Sequence, residues 1–440
     1  MTPQLFNRLR QLLWLYFWLL IFEGALRRWI LPGLSNPLLL VRDPVALLAV
    51  IWGWPLLSRP PWAGWLQPLL WIAPLAFLTA ITIGHGDIFT ALYGCRILVL
   101  HLPLIFLYAA VFDRTDVIRL SWCMLLLSIP MAILIAAQSS LPETHFLNVG
   151  VGGVGTAVFD GAGGRFRPPG TFTFITGVSS FFTVAAASLF AVLYDSSVSQ
   201  RGRLFCIVAG IALVVAVPVS ISRDLLAGYL VVLAATIAAL VFSRVPIASL
   251  ISGLLAVLVA FGVATMVPAF QETSAAFSAR WEMAAKADRE TVGDVSIAAD
   301  QFQNRVLGVF IEPLSELGSV PLAGYGIGSG TNVGAQRLTG AFVFVTGEGS
   351  WQSSLAELGL PIGLAFLIWR ASLSLWILRV ALRAAGQGNR LPLIFAGASF
   401  LDVVVGQISQ PTGLGFIVLS AGLTLAACNP RHVSGAATSA

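Results

Sequence analysis

Charge is what this 440-residue chain has least of: Asp, Glu, Lys and Arg make up 10% of it, against 57% hydrophobic residues and a mean hydropathy of +0.88. Soluble domains carry about a quarter of their residues as charged groups, so a water-soluble globule is excluded. Lysine is almost absent; of the 25 basic residues only Lys286 is one. The cationic chemistry is therefore nearly all guanidinium, whose planar fork suits phosphate or carboxylate, although GC-rich coding would also favour arginine. Cysteine is scarce too. Cys95, Cys123, Cys206 and Cys428 lie in apolar stretches without CxxC spacing or a histidine at metal spacing, which predicts buried free thiols and no metal site. No small-residue cleavage site follows the basic and apolar opening, so that stretch reads as an uncleaved first span.

What is present is apolar run after apolar run. About 20 apolar residues cross a bilayer as a helix, which makes this an all-α polytopic membrane protein and excludes a β-barrel. Breaks at Gly, Pro and charge give twelve transmembrane helices: 9–26, 40–57, 65–83, 95–112, 118–138, 171–194, 203–221, 224–242, 245–267, 351–378, 391–408 and 412–428. The organisation is thus helices 1–9 over 1–267, a large outward loop over 268–350, helices 10–12 over 351–428, and a tail over 429–440. Twelve arginines fall in segments on the N-terminal side against seven in short segments on the other, which places both termini in the cytoplasm and the long loop outside.

Those seven are Arg27, Arg28, Arg42, Arg96, Arg165, Arg167 and Arg223. Ionisable groups at membrane depth are costly and often functional, unless they snorkel to a helix end. Arg42 is expected to pair with neighbouring Asp43, Glu23 with Arg27 at i and i+4, and Arg223 has Asp224 beside it. Between spans five and six lies a glycine-rich stretch. A phosphate-cradling glycine loop needs a preceding strand, and none is predicted, so a nucleotide site is rejected. Its end, Arg165-Phe-Arg-Pro-Pro-Gly-Thr171, sets two arginines on a stiff Pro-Pro at the mouth of a helix, a natural anion seat. His101 reads as a packed polar residue, and Arg165 and Arg337 as surface charges.

The long loop reads as two amphipathic helices, 273–289 and 297–317, capping a cavity or lying on the membrane. It carries five basic and nine acidic residues, so any anion site in it is local. A glycine-rich run, Pro321-Leu-Ala-Gly-Tyr-Gly-Ile-Gly-Ser-Gly330, follows, with backbone free to approach a ligand. Glu348 is expected at the membrane surface. Glu357 falls about two turns into span ten, where a buried carboxylate wants a partner such as an outward-side arginine.

Together, the RFRPPGTF segment, Ser222-Arg223, the long loop after span nine, PLAGYGIGSG and SSLAELGLPIGL resemble the O-antigen ligase and polymerase superfamily. FEGALRRWILP, VRDP, YGCRILVLHLP and GQISQPTGLGF resemble its exopolysaccharide-associated branch. The resemblance runs from about Phe22 to Cys428. It implies a metal-independent glycosyltransferase with a GT-C-like membrane fold and no cofactor. Its partners would be an undecaprenyl-diphosphate-linked glycan, a glycan or lipid acceptor and the bilayer, with no nucleic acid. By position, Arg167 and Arg223 match diphosphate-binding arginines, and Arg280 or Arg305 matches the loop arginine. Glu348 stands where ligases hold a histidine and is the candidate catalytic base, which leaves polymerase and carboxylate-based ligase both open. Arg96 and Glu357 are supporting candidates. The chemistry asks for little more, because paired arginines can offset the charge of a diphosphate leaving group and a base can take the acceptor proton. Two other classes compete. One is a transporter of lipid-linked oligosaccharide or polyanionic polysaccharide, though no repeat relates the halves; the other is a non-catalytic assembly subunit.

Overall fold

The computed structural model describes residues 2–162, 165–195, 199–244, 320–340 and 349–429, with residues 259, 261–263, 265, 266, 268, 270–279 and 282. Helix α1 (Pro3–Ala25) begins on a Thr2 cap with Pro3 in its first turn and continues through a π-turn, Leu26–Ile30. Then come α2 (Arg42–Leu57), α3 (Trp62–Thr82) and α4 (Ile88–Arg96), which runs through a π-turn at Ile97–His101 into α5 (Leu104–Val111). Helix α6 (Arg114–Ser140) opens on a capping box between Asp113 and Asp116. A two-stranded antiparallel hairpin, β1 (Phe159–Ala162) and β2 (Arg165–Arg167), precedes α7 (Thr176–Leu193), α8 (Gln200–Ser220) and α9 (Arg223–Phe242). The remaining described helices are α10 (Asn332–Thr339), α11 (Ser350–Leu358), α12 (Leu360–Gly386), α13 (Leu391–Val405) and α14 (Pro411–Ala426).

Nine helical runs among the described residues are long and apolar enough to cross a membrane. The shorter α13 and α14 are apolar nearly all round, Asp402 in the last turn of α13 being the one charged residue, and α14 is buried without a break from Leu414 to Ala426. A helix hydrophobic all round belongs inside, and these two form the centre, packed by α5, α7, α9 and α12. The outer helices turn Trp71, Leu78, Leu126, Ile133, Leu204, Leu230 and Ile368 outward, an apolar exterior of the kind lipid covers. The protein is therefore an all-α polytopic membrane protein, apart from one short hairpin.

The helices define two faces. One carries the Arg10–Asp116 and Arg114–Asp195 ion pairs, Ser243 bonded to Ala385, and Asn429 bonded to Ala109 and Phe112, so both described chain ends share it. The other carries the glycine-rich loops and helix breaks described below. Glu272, paired with Arg165, stands on this second face. The expected span 245–267 lies mostly outside the described residues, as do 283–319, which hold most of the two expected loop helices.

Four expectations are corrected. The glycine-rich stretch forms a hairpin that cross-strand pairing stabilises without any alternating apolar pattern. The expected span 351–378 is two helices, broken at Gly359 with φ +77°, a conformation that favours glycine and that Pro361 prevents from healing. Arg42 does not pair with Asp43, because neighbours on a helix point about 100° apart. All four cysteines are free, but only Cys206 is fully buried.

Candidate functional site

The segment that ends in Arg165–Thr171 is held from below by Arg28. This guanidinium, 1% exposed, donates to four backbone carbonyls: Leu147 at 2.6 Å, Val149 at 2.9 Å, and Gly170 and Phe172 at 3.0 Å. Gln138 closes the same turn, its Oε1 accepting from Gly170 N–H at 2.8 Å while its Nε2 donates to Leu147 and Gly170 carbonyls. Thr171 donates to the Ile21 carbonyl, and Gly24 lies so close to Thr171 that any Cβ there would meet its carbonyl oxygen. A strand carrying Arg165 and Arg167 is thus set rigidly at the helix mouth. Its partner strand lies against the start of α9, with Gly161 beside Ile221, two residues before Arg223.

A second group is ionic. Glu23 accepts from Arg42 Nε at 2.7 Å and Arg27 Nη1 at 3.3 Å. Asp43 accepts from Arg96 Nη1 at 2.5 Å and pairs with His101 Nε2 at 3.0 Å, and Tyr16 meets the other ring nitrogen at 2.9 Å. The π-turn at Ile97–His101 explains the convergence. Its wider i→i+5 turn brings Arg96 and His101, five residues apart, to one carboxylate. Arg27, Arg42 and Arg96 are all under 10% exposed, so they are packed and paired rather than snorkelling.

A third group joins the glycine run at 324–330 to the helix breaks. Glu357 Oε2 accepts Gly328 N–H at 2.7 Å, its Oε1 accepts the Ser353 hydroxyl at 3.2 Å, and its backbone carbonyl accepts Gly326 N–H at 3.0 Å. Gly328, at φ +93°, fits because its backbone lies against the Thr90 carbonyl, where a Cβ has no room. Across the break between α13 and α14, Ser350 donates to Gly406 at 2.7 Å and Trp351 to Val404 at 2.9 Å. Buried Arg370 ties the same place, donating to Val403, Gly406 and the Ser350 hydroxyl. Gln410 then accepts from Thr176 at 3.2 Å, which returns the chain of contacts to the helix below Arg167.

The predicted residues divide accordingly. Arg167 is half-buried at the end of β2 and Arg223 half-buried in the first turn of α9, both on the second face. Arg280, Arg305 and Glu348 lie outside the described residues. The charge of Arg96 is taken by Asp43. Glu357 has no basic partner among the described residues; backbone N–H and serine serve it instead. Arg337 is a surface charge, as expected, and a paired one: it grips both Asp87 oxygens at 2.8 and 3.3 Å and lies 4.7 Å over the Phe89 ring. That bidentate hydrogen bonding holds the Asp87 carboxyl well below the usual carboxylate range. Sequence reading missed Arg370 and the Arg28 clamp; an arginine inside an apolar run was the available signal for both. No group of three or more His, Cys, Asp or Glu side chains able to hold a metal ion occurs among the described residues. No protein-family model matches the chain, and no curated protein or solved structure is significantly similar to it.

Proposed function

We propose that the protein is a twelve-span, GT-C-like membrane glycosyltransferase of the bacterial plasma membrane, both termini cytoplasmic. It polymerises or ligates glycans from an undecaprenyl-diphosphate carrier in exopolysaccharide or O-antigen synthesis. One observation carries the reading: the separated segments on which the family resemblance rests touch one another. FEGALRRW meets RPPGTF through Arg28, and VRDP meets YGCRILVLH through Asp43. YGCR meets the glycine run at Gly94 and Gly328, that run meets SSLAELG through Glu357, and SSLAELG's neighbour Ser350 meets GQISQP at Gly406. Far-apart segments that assemble at one place are what a shared site requires.

In this reading Arg167 and Arg223, with Arg280 or Arg305 from the long loop, hold the diphosphate. The bond from the anomeric carbon to the diphosphate oxygen breaks as the acceptor hydroxyl oxygen bonds to that carbon. The acceptor proton passes to Glu348, and undecaprenyl diphosphate leaves with its charge offset by the guanidinium groups. The chemistry needs no divalent metal. A second reading, transport of lipid-linked oligosaccharide or polyanionic polysaccharide, draws on the two helix breaks, at Gly359 and at Gly406–Gln410, a device transporters use for binding sites.

The purified protein in liposomes with lipid-linked oligosaccharide separates them. Glycan growth with carrier release is expected; carrier translocation without growth would replace the enzyme reading with the transporter. Arg167→Ala and Arg223→Ala should each abolish product while the protein still inserts, and wild-type product from both would remove their assignment.

A further inference from the structure

Between the two helix breaks lies a small pocket, mostly apolar in its lining but with several oxygen-bearing side chains. Its oxygen-bearing walls are Ser350, Ser353, Ser354 and Glu357 on α11 and Ser409 on the α13–α14 connection, with Ile97 and Phe366 among the apolar ones. It encloses about 30 Å³, room for one or two water-sized occupants and far too little for a sugar ring.

The hydrogen bonding of the walls narrows the occupant. Ser350 gives its proton to the Gly406 carbonyl, Ser354 to the Ser350 carbonyl and Ser353 to Glu357. With its proton so directed, Ser354 offers a ligand lone pairs, while the Ser350 oxygen already accepts from Arg370 Nη1 at 2.9 Å. The carboxylate of Glu357 is buried with them, 8% exposed, and no arginine, lysine or histidine among the described residues neutralises it. An uncompensated carboxylate in an apolar interior is costly, and a positive occupant removes that cost. The C-terminal end of α11 lies at the same spot and adds the negative potential of the helix dipole, although its Leu355, Ala356 and Glu357 carbonyls already accept Gly359, Tyr325 and Gly326 N–H groups.

We propose that this pocket is a binding site for a single monovalent cation of sodium size. Hard cations take carboxylate, hydroxyl and carbonyl oxygens, and one carboxylate balances one positive charge. Helix breaks that bring chain ends and oxygen atoms together inside a bundle are where membrane proteins commonly hold sodium. The cation would neutralise Glu357 and fasten the glycine run, α11 and the α13–α14 break into one piece. It takes no part in bond-making, and the site stands whether or not the glycosyltransferase reading does.

The test is thermal unfolding of the full chain in detergent, at fixed pH and ionic strength, as sodium chloride replaces N-methylglucamine chloride. Binding of radioactive sodium is measured in parallel. Sodium should raise Tm in a saturable way with one ion bound per chain, and potassium should do so more weakly. Glu357→Gln, whose amide oxygen can still accept Gly328 N–H, should lose the sodium response. Ser354→Ala should need about tenfold more sodium, and it decides the matter if the glutamine variant does not fold. A Tm indifferent to sodium in the wild type would overturn the site. So would a sodium shift retained in both variants.

Discussion

Two sets of arginines, one sealed inside the bundle and one at the lip of the second face, do opposite things. Arg28, Arg42, Arg96 and Arg370 are under 10% exposed, and backbone carbonyls, a serine or carboxylates hold each of them. Arg165, Arg167 and Arg223 lie on the lip and are partly exposed, Arg165 pairing with a Glu272 that is itself half in solvent. A guanidinium sealed by protein oxygens is architecture, because removing it strands the oxygens it served. One at the lip can exchange a protein partner for a ligand. The rarity of arginine in bilayers applies to both sets, so depth alone does not mark a binding residue; accessibility does.

The contrast can be broken at its strongest point first. Arg28→Ala takes the guanidinium from the Val149 and Phe172 carbonyls, leaves Leu147 and Gly170 with Gln138 alone, and should cost on the order of 3 kcal/mol, read as a large fall in Tm in detergent. Unaltered stability would show that the clamp is incidental. Arg96→Ala should cost about 3 kcal/mol by leaving the Asp43 carboxylate with His101 as its one remaining partner among the described residues, and the double variant with Asp43→Asn should recover part of that loss in unfolding measurements. If the double variant is no better than the single one, the buried pair is not a coupled unit. The smallest effect belongs to the exposed Asp87–Arg337 pair. The folded-state value of Asp87 is depressed, so its contribution is present above the ordinary carboxylate range and is lost as pH falls through and below it. Limited proteolysis near 332–340 should therefore accelerate in acid, and Asp87→Asn should show that faster rate already at pH 7.

Helix positions were legible because apolar runs and their charged ends fix them: 224–242 was expected and Arg223–Phe242 found, 203–221 expected and Gln200–Ser220 found. The Gly359 break was also written in the chain, in the Gly-Leu-Pro sequence that a purely apolar count passes over. Partnerships were not legible. Adjacent Arg42 and Asp43 invited a pair, yet each finds its partner on another helix, and a π-turn that no periodicity signals decides which. Glu357 was expected to want an arginine and instead holds a loop, because glycine backbone in the left-handed region can turn its N–H groups inward. The hairpin carrying Arg165 and Arg167 escaped notice because cross-strand bonds define it.

The most direct measurement is binding of undecaprenyl diphosphate to the purified protein, compared among wild type, Arg167→Ala, Arg223→Ala and, as a control on the same face, Arg337→Ala. A charged hydrogen bond to phosphate is worth about 1.5–3 kcal/mol, so each lip variant should weaken binding by roughly tenfold or more while the control binds as wild type. Equal binding by all four proteins would contradict the central claim that the lip arginines hold a diphosphate.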